Sequence, residues 1–335
     1  MITAEQIDYQ NPPDADHNWV ETYLIPIVIP KAHIYALVYV CARPAMGVMS
    51  NQIMVCGALS DNRSDLLHYN DNQHLPAPKK FSELTSPIGL SIRATKAPRD
   101  FRIDYKGYDG TEIHVDWVGL MDPFDIHDPM HSPQAGRVED MHADIDTAKK
   151  HRAGHFDLTG RCTGTLRVRG KTFDVDSIER MDHSWGPRDP MVIKNMYIVS
   201  ATFGEDLAFH MICPWNPDLK GAEQFKLTHG YVLQDGKVYG LTSEVTMTSN
   251  HHGLMCTGLE MTVKDTRGKT FHLRATADVG APWSPYPSAI TFNSMMRWSY
   301  GDRDGYGVVL PNYNLPWLNQ RRGRFYDDPS PSVWV

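Results

Sequence analysis

The 335-residue sequence lacks the marks of several protein classes. Its five cysteines are scattered and odd in number, and none stands in a C-x-x-C spacing, which argues against a disulfide framework or a cysteine zinc site. The first six residues have neither the basic start nor the apolar core of a signal peptide. These absences predict a cytoplasmic protein with reduced, mostly buried cysteines.

Long basic runs and long apolar runs are also missing. The net charge of −7, without an extended basic stretch, argues against a nucleic-acid partner, which would require a basic face. The most apolar run, 24–40, is interrupted by Pro26, Pro30, Lys31 and His33, so no transmembrane segment is expected. The oligomeric state is open, and a homodimer is one of the options.

Helical periodicity is nearly absent, and alternating segments joined by turns dominate instead. Segments 101–106 and 112–118 flank a turn at Gly110, and similar hairpins recur as far as residue 276. The chain length suits two domains of about 165 residues each. We therefore predict an all-β chain with two β-barrel or sandwich domains in tandem, 1–176 and 177–335.

One polar and aromatic run stands out near the middle of the chain. It reads Asp182-His183-Ser184-Trp185-Gly186-Pro187-Arg188. On an extended backbone His183 and Trp185 share one face, and Asp182 and Ser184 share the other. We expect the run to begin the second domain and to turn His183 and Trp185 toward a cavity near the domain junction. The structural alternative is a hydrogen-bonded His–Trp packing pair.

This run resembles the Asp-His-Ser-Trp-Gly signature of the two-domain lipocalin-like proteins that include hydroxyneurosporene synthase, also called carotenoid 1,2-hydratase. The resemblance implies two lipocalin-like domains, with His183 and Trp185 among the suspected acid–base groups. That family also uses a Tyr-x-Asp pair. Here the strand after the motif lacks the pair, and Tyr300-Gly301-Asp302 has the pattern much later in the chain.

The sequence favours a cofactor-independent acid–base enzyme acting on a lipophilic isoprenoid, steroid or aromatic molecule. Addition or removal of water, double-bond isomerisation and ring closure all fit. The expected catalytic residues are Asp182, His183, Trp185, Tyr300 and Asp302, and the expected substrate-binding residues are Arg188, Tyr197, His210 and Trp298. The alternative is a carrier that binds a hydrophobic small molecule without changing it.

Five histidines fall in the stretch 127–155: His127, His131, His142, His151 and His155. Their spacing does not match a zinc-ligand pattern, so we expect solvated loop histidines and no metal site. Trp283 and Tyr286 stand beside prolines, where they are expected to pack over a barrel end or to rim a pocket.

Overall fold

The computed structural model describes residues 1–135, 153–216 and 218–321. The N-terminal part is one antiparallel sheet of eleven strands that forms a half-barrel. Its strands are β1 (Trp19–Ile29), β2 (Ile34–Arg43), β3 (Val48–Cys56), β4 (His68–Pro76), β5 (Glu83–Thr85), β6 (Leu90–Lys96), β7 (Asp100–Lys106), β8 (Glu112–Gly119), β9 (Phe124–Asp125), β10 (Gly154–Val168) and β11 (Lys171–Pro187). They lie in the order β4-β3-β2-β1-β11-β10-β8-β7-β6-β5, with β9 paired to β10.

The C-terminal part is a closed, eight-stranded antiparallel barrel. Its strands are β12 (Met196–Thr202), β13 (Leu207–Pro214), β14 (His229–Gln234), β15 (Lys237–His252), β16 (Met255–Asp265), β17 (Thr270–Trp283), β18 (Ala289–Tyr300) and β19 (Arg303–Asn314), followed by the helix α1 (Leu315–Arg321). The predicted all-β fold of two barrel-type units in tandem is thus confirmed. In the described part of the chain, no helix combines the length and hydropathy needed to span a bilayer.

Strand β1 is buried along its whole length because both of its faces are covered. Tyr23 and Ile25 point into the core of the half-barrel. Val20 and Leu24 belong to a second cluster, which also contains Ile212 and other residues of the C-terminal barrel. A strand covered on both faces is mostly apolar, and in β1 only Glu21 and Thr22 interrupt the apolar run. The half-barrel therefore packs the outer face of its central strands against the barrel.

The predicted position of the central motif, at the start of the second domain, is wrong. The motif ends β11, which lies between β1 and β10 in the first sheet. Strand β11 pairs with β1 from Trp19↔Pro187 to Leu24↔Asp182. Strands so far apart in sequence leave no local sign of their pairing. The expected boundary between residues 176 and 177 falls inside β11, and we propose that the change of unit lies between β11 and β12.

The close approach of β10 and β11 yields a stability prediction at Gly154. A Cβ atom there would lie 2.1 Å from Cζ2 of Trp185, a contact that the buried indole cannot relieve without moving. We expect Gly154→Ala to lower the free energy of unfolding by about 1–3 kcal/mol. Denaturant unfolding measures this change.

Gly258→Ala is the matched control, since its Cβ would first meet the side chain of Asn250 at 3.3 Å. Equal stability of the two variants would show that the Trp185 indole does not pack closely against the backbone of Gly154.

Candidate active site

The two faces of the central motif serve two different environments. His183 and Trp185 point into the half-barrel, where His183 is fully buried and packs against Tyr23, Phe81 and Phe156. The Nδ1 atom of His183 donates a hydrogen bond to the carbonyl oxygen of residue 22 at 2.9 Å. The predicted alternation is correct, but the predicted direction is wrong: neither His183 nor Trp185 lines the cavity between the units.

The opposite face of the motif meets the barrel, and strand register sets its neighbours. Ser184 pairs with Thr22 of β1 on one side and with His155 of β10 on the other. Two residue pairs along, and on the same face, Asp182 lies opposite Asp157. Because paired residues across a sheet share a face, two polar rows face the barrel, one across β1, β11 and β10 and one across β11 and β10.

These rows form one wall of a cavity of about 100 Å³ between the two units. His155, Asp182, Ser184 and Arg188 supply its charged and polar groups. Its apolar walls are Leu24 of β1 together with barrel-side residues Ile193, Met196, Ile198, Ile212, Trp283 and Leu310. A mostly apolar lining with a few convergent polar groups is typical of small-molecule sites.

A line of hydrogen bonds crosses one end of the cavity. Arg188 donates from Nη1 to the hydroxyl of Tyr286 at 2.7 Å and from Nη2 to Oγ of Ser184 at 2.9 Å. The Tyr39 hydroxyl donates to Tyr286 at 3.1 Å, and the hydroxyls of Thr22 and Ser184 lie 2.7 Å apart. The guanidinium is thus held in place from both sides.

A second polar group, centred on Asp157, lies behind the other end of the cavity. Asp157 is fully buried, and three histidines surround it. Nε2 of His210 lies 3.0 Å and Nε2 of His155 lies 3.4 Å from Oδ1, while Nε2 of His229 lies 3.1 Å from Oδ2. Burial opposes ionisation, but the attraction of His210 and His155 outweighs it and holds the pKa of Asp157 well below its usual range.

Asp157 also sets the protonation of the one histidine in this cluster that reaches the cavity. Burial alone would lower the pKa of His155, but attraction and hydrogen bonding by Asp157 outweigh it and raise that pKa. In contrast, burial lowers the pKa of His210 to about 4. His155 is therefore the imidazole of the cluster that carries a proton most readily, and it lies at the cavity wall.

The same cluster offers a candidate set of metal ligands, since ligand atoms of His155, Asp157 and His229 lie within 4.8 Å of one another. The charge arrangement fits a hydrogen-bonded network better. Nε of Arg180 lies 3.7 Å from Oδ1 of Asp157, so a guanidinium already faces the carboxylate that a cation would need. The absence of a resident metal stays a prediction.

Comparisons with known proteins place the chain in a family. A family model described as Domain of unknown function (DUF7064) matches residues 4–317. The chain belongs to the DUF7064 family. A search of the curated proteins found no match.

Two solved structures resemble this DUF7064 protein over most of its length. Kievitone hydratase from Nectria haematococca is 11% identical, with a TM-score of 0.55 and coverage of 89% of both chains. A protein described as AttH from Nitrosomonas europaea is 10% identical, with a TM-score of 0.55, and the match covers 88% of this chain and 92% of that chain. Likeness at this identity shows the fold, which agrees with the predicted resemblance at that level. The narrower relation through the motif stays a prediction.

The DUF7064 structure does not bring the remaining predicted residues together at the cavity. Tyr300 ends β18 among Phe203, Phe209 and Phe271, and Asp302 lies exposed in the following turn. The cavity is lined by the other end of β18, about 30 Å away along the strand. The Tyr-x-Asp pattern in this chain therefore does not supply a partner for the cavity.

Tyr197, Trp298 and His210 occupy other places in the protein. Tyr197 and Trp298 are buried in the barrel core, and the Tyr197 hydroxyl lies 2.8 Å from Nε2 of His251. His210 lies behind the cavity wall, where its Nδ1 donates to the carbonyl oxygen of Val199 at 3.0 Å. Of the nine predicted site residues, Asp182 and Arg188 line the cavity.

Several residues that line the cavity were not predicted as site residues from the sequence. His155, expected as a solvated loop histidine, is buried in β10. Trp283 and Tyr286, for which a pocket rim was one of two expectations, do line the cavity. His142 and His151 lie outside the described residues. The available signal was the alternation of polar His155, Asp157 and Thr159 with apolar neighbours, which is typical of a strand.

The environment of His183 predicts a pH dependence of stability. Burial lowers the pKa of His183 to about 4, so the unfolded chain, with an ordinary value of 6.5, binds this proton more readily. Stability due to neutral His183 is present above pH 6.5 and is lost as the pH falls toward 4. Between pH 7 and 5, the free energy of unfolding should fall by about 2 kcal/mol more in the native protein than in His183→Gln.

Denaturant unfolding at both pH values measures this difference. His272→Gln, on the exposed surface of the barrel, should follow the native protein. An identical pH response of native protein and His183→Gln would contradict the buried, neutral state of His183.

Proposed function

We propose that this protein is a cofactor-independent acid–base enzyme that moves protons on a lipophilic small molecule held between its two units. The observation that carries the proposal is the position of His155. This imidazole lines an apolar cavity, lies 3.4 Å from a buried carboxylate and has a raised pKa. A histidine that is oriented by an acid and faces a sheltered pocket is a common general acid–base arrangement.

The cavity supports each step of such a reaction. In a dehydration, protonated His155 gives its proton to the departing hydroxyl group, and water leaves. The neutral imidazole then takes a proton from the adjacent carbon, which forms the double bond and restores His155. Hydration is the reverse, and isomerisation uses the same two proton transfers without water. Apolar walls such as Ile212 and Leu310 hold the carbon skeleton and keep bulk solvent out.

The opposite end of the cavity complements this chemistry. Arg188 and Tyr286 lie beside the space in which a substrate oxygen would sit. Burial raises the pKa of Tyr286 despite the neighbouring guanidinium, so its hydroxyl stays protonated at neutral pH. Fixed donors of this kind stabilise negative charge that develops on oxygen. Kievitone hydratase, which shares the fold, is named as a hydratase, and hydration is among the reactions that these groups support.

Solvent labelling tests the proposal. The protein is incubated with a lipophilic cell extract in deuterated or oxygen-18 water, and mass spectrometry follows label entering any compound. His155→Gln should reduce the rate of incorporation by about 100-fold or more, because it removes the proton donor and acceptor. His272→Gln, which alters an exposed histidine on the barrel, should leave the rate unchanged.

Undiminished labelling by His155→Gln would contradict the assigned role. A compound recovered bound to the native protein, with no label incorporated, would instead establish the carrier alternative. The same cavity would serve a carrier, with Arg188 as its polar anchor.

A further inference from the structure

We propose that the ligand of this cavity carries a carboxylate group, which Arg188 and Tyr286 bind. This inference rests on the proposed function for the location of the site, and it names the class of substrate: small lipophilic carboxylic acids. Three properties of the Arg188 end of the cavity lead to it, namely its uncompensated charge, its free donors and the contrast with the opposite end.

The first property is a positive charge for which the described residues provide no acidic partner. The side chain of Arg188 is held by two neutral hydroxyls, those of Tyr286 and Ser184. Two other arginines of the described chain have a carboxylate partner: Arg180 donates to Asp182, and Arg267 donates to Asp265. A guanidinium that is largely removed from water is stable when an anion balances it. A ligand carboxylate would supply that charge.

The second property is a pair of donors that lack acceptors. Among the described residues, the buried Nε of Arg188 has no hydrogen-bond partner. The Tyr286 oxygen accepts from both Tyr39 and Arg188, which leaves its own proton free to donate. A carboxylate is an acceptor-only group, so it can accept a hydrogen bond from either donor.

The neighbouring hydroxyls do not compete for this role. Ser184 accepts from Arg188, and its oxygen lies within hydrogen-bond distance of Thr22. Thr22 also lies in reach of the carbonyl oxygen of Ser184, at 3.4 Å. These hydroxyls are therefore engaged with one another and with the guanidinium. The hydroxyls of Ser184 and Thr22 orient Arg188, and the ligand carboxylate contacts Arg188 and Tyr286.

The third property is the difference between the two ends of the cavity. At the His155 end, Arg180 donates from Nη2 to Asp182 at 2.7 Å, and Asp157 lies near both Arg180 and the protonatable His155. At the other end, no carboxylate of the described residues pairs with Arg188, whose partners are hydroxyls. A carboxylate bound to Arg188 would direct the apolar body of the ligand along Ile212 and Trp283 toward His155. The reacting carbon then lies away from the carboxylate.

Binding of a matched pair of probes tests this inference. The probes are trans-cinnamate and its uncharged methyl ester, and the Kd of each is measured by calorimetry at pH 7. We expect the native protein to bind cinnamate at least tenfold more tightly than the ester. Arg188→Met, which keeps side-chain length and removes the charge, should abolish this preference. Tyr286→Phe should reduce it by about threefold or more, since it removes one donor.

Arg43→Met is the matched control. Arg43 lies in the open groove next to Tyr286, and its guanidinium donates to the carbonyl oxygen of His17, so its loss removes the same charge outside the cavity. The control should keep the preference for cinnamate. Equal binding of acid and ester by native protein, or a preference that survives in both Arg188→Met and Tyr286→Phe, would overturn the inference.

The Tm of each variant confirms folding, and the near-isosteric Tyr286→Phe keeps the test valid should Arg188→Met fail to fold. The outcome is separable from that of the proposed function. A strong acid preference in native protein and in His155→Gln, without any solvent labelling, would support carboxylate binding and contradict catalysis. Labelling that depends on His155, with no preference for the acid over the ester, would support catalysis and contradict carboxylate binding.

Discussion

The structure depends on a pair of like charges placed side by side. Asp157 and Asp182 are direct cross-strand neighbours on β10 and β11, both buried against the barrel. Two carboxylates in this position repel each other and lose hydration, so they require positive partners close by. Arg180 meets this need for Asp182 from the same strand. Asp157 has the guanidinium of Arg180 at 3.7 Å and the protonatable His155 at 3.4 Å, and its contacts with His210 and His229 join the half-barrel to the barrel.

As a result, the two faces of the central motif have different surroundings, one in the half-barrel and one at the cavity. The face with His183 and Trp185 completes an aromatic core, where burial holds the imidazole neutral. The face with Asp182 and Ser184 contributes to the cavity. A strand that is covered on both sides can carry two roles in adjacent residues because its side chains alternate. The most conspicuous residues of the motif therefore lie away from the candidate site, and its less conspicuous ones line it.

Local sequence patterns were sufficient for the fold class and for the alternation within the motif, because both follow from short-range periodicity. They could not show which face of β11 meets the barrel, since that depends on its pairing with β1, more than a hundred residues away. They also missed His155, which stands at the end of a stretch rich in histidine and without a clear period. The Tyr-x-Asp pattern predicted that Tyr300 and Asp302 lie at the cavity, which they do not. A short motif specifies the spacing of its residues but not their position in the barrel.

The position of the cavity has a thermodynamic consequence. The barrel interior is filled by aromatic side chains, among them Tyr197, Trp215 and Phe271, as an eight-stranded barrel permits. The candidate site lies instead between the units, with Ser184 and Arg188 on one side and Trp283 on the other. A ligand that contacts both sides binds only when the units are docked. Its binding free energy therefore adds to the stability of docking, and the contact between the half-barrel and the barrel is coupled to occupation of the site.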